Sequence, residues 1–177
     1  MELSQAHAKQ FFGLRTYVAQ TARIVSAPRM FFREYAESGH LLLPVFALVL
    51  SGGFYACASL LVHACQEPMA ALMIFFINAA GMPVLAAGMG YVVSRLILGS
   101  RIGFVRFFGI YAWAAAVVLP LAWVPYLVLF AEVWRWWLIG TGLMIVCGLR
   151  RWQAMLVVVL TLAAMIYAYQ WLSVQWT

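Results

Sequence analysis

Side chains that could perform chemistry are scarce in the apolar stretches of this sequence, and those present are uncharged. The chain contains no aspartate, and no glutamate, lysine or arginine lies near the middle of a long apolar stretch. Ion-coupled carriers and membrane enzymes keep ionisable groups inside their apolar helices. Removing such a group from water is unfavourable, so these groups are retained only where they have a function. Paired acids, an HExxH zinc motif, a GxSxG nucleophile motif and a phosphate-binding glycine loop are also missing. The sequence therefore predicts a protein that is not an enzyme and uses no cofactor and no metal.

Asn78 is the most suggestive polar residue, because it falls inside an apolar stretch and just before a Gly-Met-Pro sequence. An amide at that depth needs a hydrogen-bond partner, either on another helix or at a carbonyl freed by the proline. Two interpretations stay open, a structural bond between helices and the lining of a solute path. Two later prolines predict that another apolar helix is bent. The candidate intramembrane polar and kink residues are Asn78, Gly81, Pro83, Pro120 and Pro125.

The composition and the length of the apolar stretches predict the fold class. The chain has 177 residues, of which 67% are hydrophobic and only 9% charged, whereas soluble domains have about 25% charged residues. A helix of about 20 apolar residues crosses a hydrocarbon core of about 30 Å. We predict an all-α integral membrane protein with a bundle of five transmembrane helices, at about residues 41–62, 69–98, 107–130, 134–149 and 152–177. The fourth stretch is short, so a re-entrant hairpin of the last two stretches is the alternative.

The residues before the first apolar stretch predict a helical arm. Apolar side chains recur at helical spacing up to about residue 26, which predicts an amphipathic helix. Such a helix either lies at the membrane surface or packs on the cytoplasmic ends of the spans. Ser26 is a candidate N-cap, Pro28 suits the first turn of a second helix, and Gly39 is expected to end that helix. We therefore divide the chain into a cytoplasmic arm, 1–38, with one or two interfacial helices, and a membrane domain, 39–177.

Basic residues predict the orientation of the bundle. With the N-terminus inside, ten of the eleven Lys and Arg residues are cytoplasmic and only Arg135 is outside, as the positive-inside rule requires. Most tryptophans then gather at the outer interface, where amphipathic rings prefer to sit: Trp134, Trp136, Trp137, Trp171 and Trp176. The sequence therefore predicts an N-in and C-out topology.

The same basic residues are candidates for binding. The formal net charge is +6, and the bases flank apolar stretches, which favours anionic lipid headgroups over nucleic acid. The other expected partners are a second membrane protein or a second copy of the chain. The alternative is that the arginines serve orientation only. The candidate lipid- or partner-binding residues are Arg15, Arg23, Arg29, Arg33, Arg95, Arg101, Arg106, Arg150 and Arg151.

Small residues in the second apolar stretch predict a close helix–helix contact. Gly81, Gly88 and Gly90 lie among several alanines, and small side chains let two helix backbones approach each other in a membrane. The pattern alone leaves open whether that contact lies within one chain or between two.

Three segments resemble the Yip family of multi-spanning membrane proteins. Residues 92–104 (VVSRLILGSRIGF) are similar to that family's basic, glycine-marked connection between the second and third spans. Residues 108–113 with the Leu-Pro-Leu of 119–121 are similar to its third span. Residues 137–143, followed by 151–154, are similar to its fourth span and the start of its fifth. The resemblance covers about residues 28–170 and implies a five-span fold with the C-terminus outside.

What the resemblance implies about function is limited. Eukaryotic members of the family act in vesicle traffic and contact prenylated Rab-type GTPases. This chain has a shorter arm and lacks their Asp-Leu-Tyr-Gly-Pro signature, so it looks like a short bacterial-type member, and GTPase binding is not carried over. We predict a multi-pass protein of the bacterial inner (cytoplasmic) membrane that organises or partners other membrane proteins or lipids through its basic face. The alternative is a small transporter or permeation subunit for a neutral or lipidic solute.

Overall fold

The computed structural model describes residues 13–63, 66–99 and 103–175, with side chains up to residue 171. Lys9, Arg101 and Trp176, which entered the predictions above, lie outside these ranges, as does the first part of the predicted arm helix. Within the described ranges all regular structure is helical. The helices are α1 Leu14–Ser26, α2 Pro28–Ser38, α3 Leu42–Val62, α4 Pro68–Leu98, α5 Phe104–Ala122, α6 Leu127–Val146 and α7 Arg151–Gln175.

Helices α3 to α7 confirm the predicted membrane fold. Each contains an apolar segment of at least 19 residues, which is long enough to cross a membrane. The first, second and fifth segments begin and end within a few residues of the predicted positions. The inward or outward orientation of the N-terminus stays a prediction.

The predicted limits of the third and fourth spans are wrong. The third span, α5, ends at Ala122 instead of continuing to residue 130, and the fourth span, α6, begins at Leu127 instead of 134. Pro120 lies in the last turn of α5, and Pro125 lies in the connection, so the chain turns where a bent helix was expected. A proline cannot donate the backbone hydrogen bond that would continue a helix.

The earlier start of α6 also changes the assignment of Glu132. This residue, which falls between the predicted third and fourth spans, lies within α6 and forms an ion pair of 2.7 Å with Arg135, one helical turn further on. With 20 residues, α6 is long enough to cross without a re-entrant hairpin.

Helix α5 occupies the centre of the bundle. Of its apolar segment 72% of residues are buried, against 17% for α4 and for α7. Every residue from 107 to 119 is buried, and many are alanine, so neighbouring helices can approach on all sides. Helices α2, α3, α4 and α6 all pack on α5 or on its immediate neighbours.

The arm helices begin and end at specific residues. Pro28 begins α2, and Gly39 ends it in the left-handed conformation (φ 57°), as predicted. Ser26 is not the N-cap of α2: it is the last residue of α1, and its hydroxyl donates to the carbonyl of Ala22 at 2.9 Å. Ala27 holds the cap position instead, because α2 begins at Pro28, and no side chain caps this helix.

Candidate functional site: the basic end of the bundle

Four predicted arginines lie where α4 and α6 end and where α5 and α7 begin. Alternating helix directions bring these termini together: the Tyr91 ring of α4 lies 5.4 Å from that of Phe104 in α5, and Gly142 of α6 lies against Ile110 of α5. We call this region, with Arg95, Arg106, Arg150 and Arg151, the basic end.

The arm helices lie along the side of the bundle, where α2 packs mainly on α6 and runs antiparallel to the first half of α5. A Cβ atom at Gly39 would lie 3.2 Å from Nε of Arg106. One turn further along, the Tyr35 hydroxyl fits against Gly109, and the rings of Phe31 and Trp113 meet edge to face at 5.1 Å. From Arg106 to Trp113 is about 10 Å along the helix axis, so α2 extends well beyond the basic end.

This docking divides the predicted basic residues into two groups. Arg95, Arg106, Arg150 and Arg151 lie at the basic end, whereas the four predicted arginines of the described arm lie along the side of the bundle. Arg29, for example, borders a shallow depression against Trp137, nine residues before the end of α6. Arg101 lies outside the described residues. The single basic face expected from the sequence is therefore an end cluster plus a lateral row.

Most of these guanidinium groups have no acidic partner among the described residues. Arg23 pairs with Glu34 at 2.5 Å, and Arg95 donates to the Tyr91 hydroxyl at 3.0 Å while lying over its ring. Six others are exposed and form no ion pair with a described residue: Arg15, Arg29, Arg33, Arg106, Arg150 and Arg151.

A hydrogen-bond network in the interior joins the arm to the spans. Pro120 has no N–H, so the carbonyl of Ala116, four residues earlier, has no partner within α5. The Ser51 hydroxyl of α3 donates to this carbonyl at 2.8 Å. The Tyr17 hydroxyl of α1 lies 2.8 Å from the Ser51 oxygen and 3.4 Å from the same carbonyl. Three helices therefore meet at the one backbone group that the proline leaves unpaired.

A cavity of about 420 Å³ lies between the arm, the start of α3 and the middle of α5. Its volume falls in the range of ligand pockets, about 300–1,000 Å³. Apolar side chains form most of its wall, and four polar residues accompany them. The lining residues are Gln20, Phe31, Glu34, Tyr35, Ser38, His40, Leu42, Leu43, Pro44 and Trp113.

Two of the lining side chains carry buried polar atoms without a hydrogen-bond partner. These are Nε1 of Trp113 and the hydroxyl of Tyr35. Burial raises the pKa of Tyr35 to about 12, and the nearby Arg106 charge opposes the rise. Tyr35 is therefore neutral at physiological pH, and both atoms are unused donors.

The intramembrane candidates are not brought together. Asn78 is exposed on the outer surface of α4 and makes no hydrogen bond to a described residue, so it does not line a path through the monomer. Pro83 is buried within an uninterrupted α4, and Gly81 faces open space. Pro120 and Pro125 lie at the opposite end of the bundle from Arg106. In the described ranges no three His, Cys, Asp or Glu side chains group as metal ligands would.

Sequence reasoning missed Tyr17, Ser51 and Trp113. Pro120 was a usable signal, because a proline inside a helix always frees the carbonyl four residues earlier. The identity of the donors depends on contacts between residues 65 and 99 positions apart. No local pattern predicts such contacts.

Five apolar helices around a buried central one, with two short helices docked on their side and arginines at one end, define a multi-spanning helical membrane protein. The chain belongs to the Yip1 domain family, whose model matches residues 22–172. This match confirms the resemblance seen in the sequence. Searches of curated proteins and of solved structures found no match.

Proposed function

We propose that this protein is a non-enzymatic membrane component that binds anionic lipid headgroups at its basic end, and thereby organises neighbouring lipids and proteins. The observation that carries the proposal is the set of three exposed arginines at this end without an acidic partner among the described residues: Arg106, Arg150 and Arg151. The wall of the apolar cavity includes Tyr35, which lies near Arg106. The bacterial inner membrane, with the basic end in the cytoplasm, is the location we propose.

Guanidinium groups suit this function for physical reasons. Arginine presents a planar fork of donors that matches phosphate oxygens. Each basic residue near an anionic membrane surface contributes about 1 kcal/mol of attraction. An unpaired arginine loses no internal ion pair when it binds a phosphate, so most of that attraction remains available.

The competing interpretation is that these arginines only orient the protein during insertion. Orientation needs their charge during synthesis, whereas lipid binding needs it in the folded protein. Lipid retention by the purified protein therefore separates the two interpretations.

The test is native mass spectrometry of the protein purified in mild detergent from membranes containing anionic and zwitterionic lipids. We expect the native chain to retain anionic lipid. The triple variant Arg106→Gln, Arg150→Gln, Arg151→Gln should bind it about 150-fold more weakly, because about 1 kcal/mol per arginine, about 3 kcal/mol in all, is removed.

Arg135→Gln is the matched control, since Arg135 lies about 16 Å along α6 from the end of that helix at Val146 and already pairs with Glu132. Thermal unfolding of both variants checks that the fold is intact. Equal retention of anionic lipid by the native chain and the triple variant would establish the orientation-only interpretation instead.

The alternative function, passage of a neutral or lipidic solute, receives no support from the residues that suggested it. Asn78 faces away from the bundle, and Pro125 lies in a connection. We therefore propose lipid and partner binding alone.

A further inference from the structure

The outward face of α4 carries a regular row of residues that are exposed or, at its two glycines, have nothing within 4 Å of the position of a Cβ atom. Its members are spaced alternately four and three residues apart, which is the heptad spacing of a helix–helix seam. Ile74, Leu85 and Val92 are 65%, 57% and 53% exposed. We call this row the α4 seam: Ile74, Asn78, Gly81, Leu85, Gly88 and Val92.

The opposite face of α4 provides its contacts within the monomer. Ala79, Pro83, Ala86, Gly90 and Ser94 are buried against the bundle. At 3.6 residues per turn their side chains point to the other side of the helix from the α4 seam. Gly90 lies on this buried face, where a Cβ atom would meet the Tyr111 hydroxyl. At Gly81 and Gly88, on the seam, a Cβ atom would have nothing within 4 Å. The seam is therefore not needed to hold the monomer together.

Exposure of this face to lipid is energetically unfavourable because of Asn78. It lies about 16 Å along the helix from Glu67 and about 26 Å from Arg95, which places it inside the hydrocarbon core. An amide without a hydrogen-bond partner is unfavourable there. The described part of the chain offers it none.

We propose that a second copy of this chain docks on the α4 seam, with the two Asn78 amides hydrogen-bonded to each other. Two copies inserted in the same direction and related by a twofold axis along the membrane normal have Asn78 at the same depth. An amide is both donor and acceptor, so each copy satisfies the other. Lipid chains cannot do this, because they carry no polar group at that depth.

The glycines fit the same arrangement. Gly81 and Gly88 are seven residues apart on the seam, with Leu85 between them. In a symmetric pair the absent side chains allow close backbone approach, and the leucine of one copy can pack into the space beside the glycines of the other. A single asparagine in an otherwise apolar seam is also a known means of fixing helix register. The pairing does not depend on lipid binding at the basic end.

Disulfide cross-linking in native membranes tests the contact. In a chain whose native cysteines are replaced by serine, single cysteines are placed at Ile74 and Leu85 on the seam. Met73 and Val84 are the matched controls, since both are exposed, at 60% and 44%, but lie on the flank of the helix. We expect dimers linked through positions 74 and 85, and few through 73 and 84.

The energetic test is the dimer dissociation constant in lipid vesicles, measured by fluorescence transfer between labelled copies. Removing the amide with Asn78→Leu should weaken the dimer by about threefold to twentyfold, the range of interhelical hydrogen bonds in membranes. Gly81→Ile should weaken it further by holding the backbones apart, while Val84→Ile should leave it unchanged. Thermal unfolding of each variant verifies that the monomer remains folded.

Three outcomes would overturn the proposal. Equal cross-linking at seam and flank positions would indicate random collision. Linkage through the seam to a protein of different mass would identify another occupant. An unchanged dissociation constant for both Asn78→Leu and Gly81→Ile would place any dimer contact elsewhere. None of these results bears on lipid retention at the basic end.

Discussion

At the scale of single residues, the carbonyl of Ala116 explains how a proline is accommodated inside the central helix. Pro120 removes its usual donor, and Ser51 replaces that donor from another helix. Because Ser51 donates to the carbonyl, its own oxygen accepts from Tyr17, 2.8 Å away. The three groups form a chain of hydrogen bonds that links α1, α3 and α5.

This network predicts that the contribution of Ser51 to stability depends on Pro120. Ser51→Ala should lower the free energy of unfolding by about 1–3 kcal/mol, because a buried carbonyl loses its main partner. In the Pro120→Ala background the new backbone N–H can bond to Ala116, so Ser51→Ala should cost much less. A double-mutant cycle on thermal or chemical unfolding in detergent measures the difference. Equal costs in the two backgrounds would show that Ser51 does not act through this carbonyl.

At the scale of elements, glycines decide where helices touch. Gly109 and Gly142 of α5 and α6 have side chains of α2 or α5 directly against them, whereas Gly140 has nothing within 4 Å. Small residues thus have different uses on different faces of the same helix.

Gly109 is predicted to control the docking of α2. Gly109→Ala places a methyl group where the Tyr35 hydroxyl lies, and we expect a loss of about 1–3 kcal/mol of stability, as for other overpacked cores. Gly140→Ala is the control and should leave the thermal midpoint unchanged or slightly higher. Limited proteolysis between α2 and α3 should accelerate for Gly109→Ala alone. If both variants unfolded alike, α2 would not depend on this contact.

At the scale of the whole molecule, the distribution of charge predicts one orientation in the membrane. The connection at Tyr126 and the connection at Arg150 lie at opposite ends of the bundle. With the N-terminus inside, the first faces outwards and the second faces the cytoplasm.

Single-cysteine labelling with a membrane-impermeant thiol reagent checks this orientation. In a chain without other cysteines, Tyr126→Cys should react in intact cells, since Tyr126 is 90% exposed. Arg150→Cys should react only after the membrane is permeabilised. The reverse pattern would refute the predicted orientation, and with it the cytoplasmic position of the basic end.

Much of the architecture could be predicted because membrane insertion depends on local properties of the sequence. The length and hydropathy of each stretch identify a span, and the positions of the arginines predict its direction. The boundary between α5 and α6 was not predicted, because residues 119–131 are almost continuously apolar. Only Pro125 distinguished a connection between two helices from a bend within one helix.

The candidate site could be predicted only in part. The arginines were evident from their positions beside the apolar stretches, but their division into an end cluster and a lateral row follows from α2 docking along α5. The cavity also depends on that docking, because its wall combines residues from α1, α2, α3 and α5.

The sequence by itself therefore determined the class of protein, the number of spans and the family, since all three depend on hydropathy and on short residue patterns. Only the tertiary structure decided which glycines face the bundle, that Asn78 faces away from it, and that Ser51 and Tyr17 meet Ala116. These features depend on the rotation of each helix about its axis. Contacts between distant residues set that rotation, and in a stretch that is apolar on every side no local pattern specifies it.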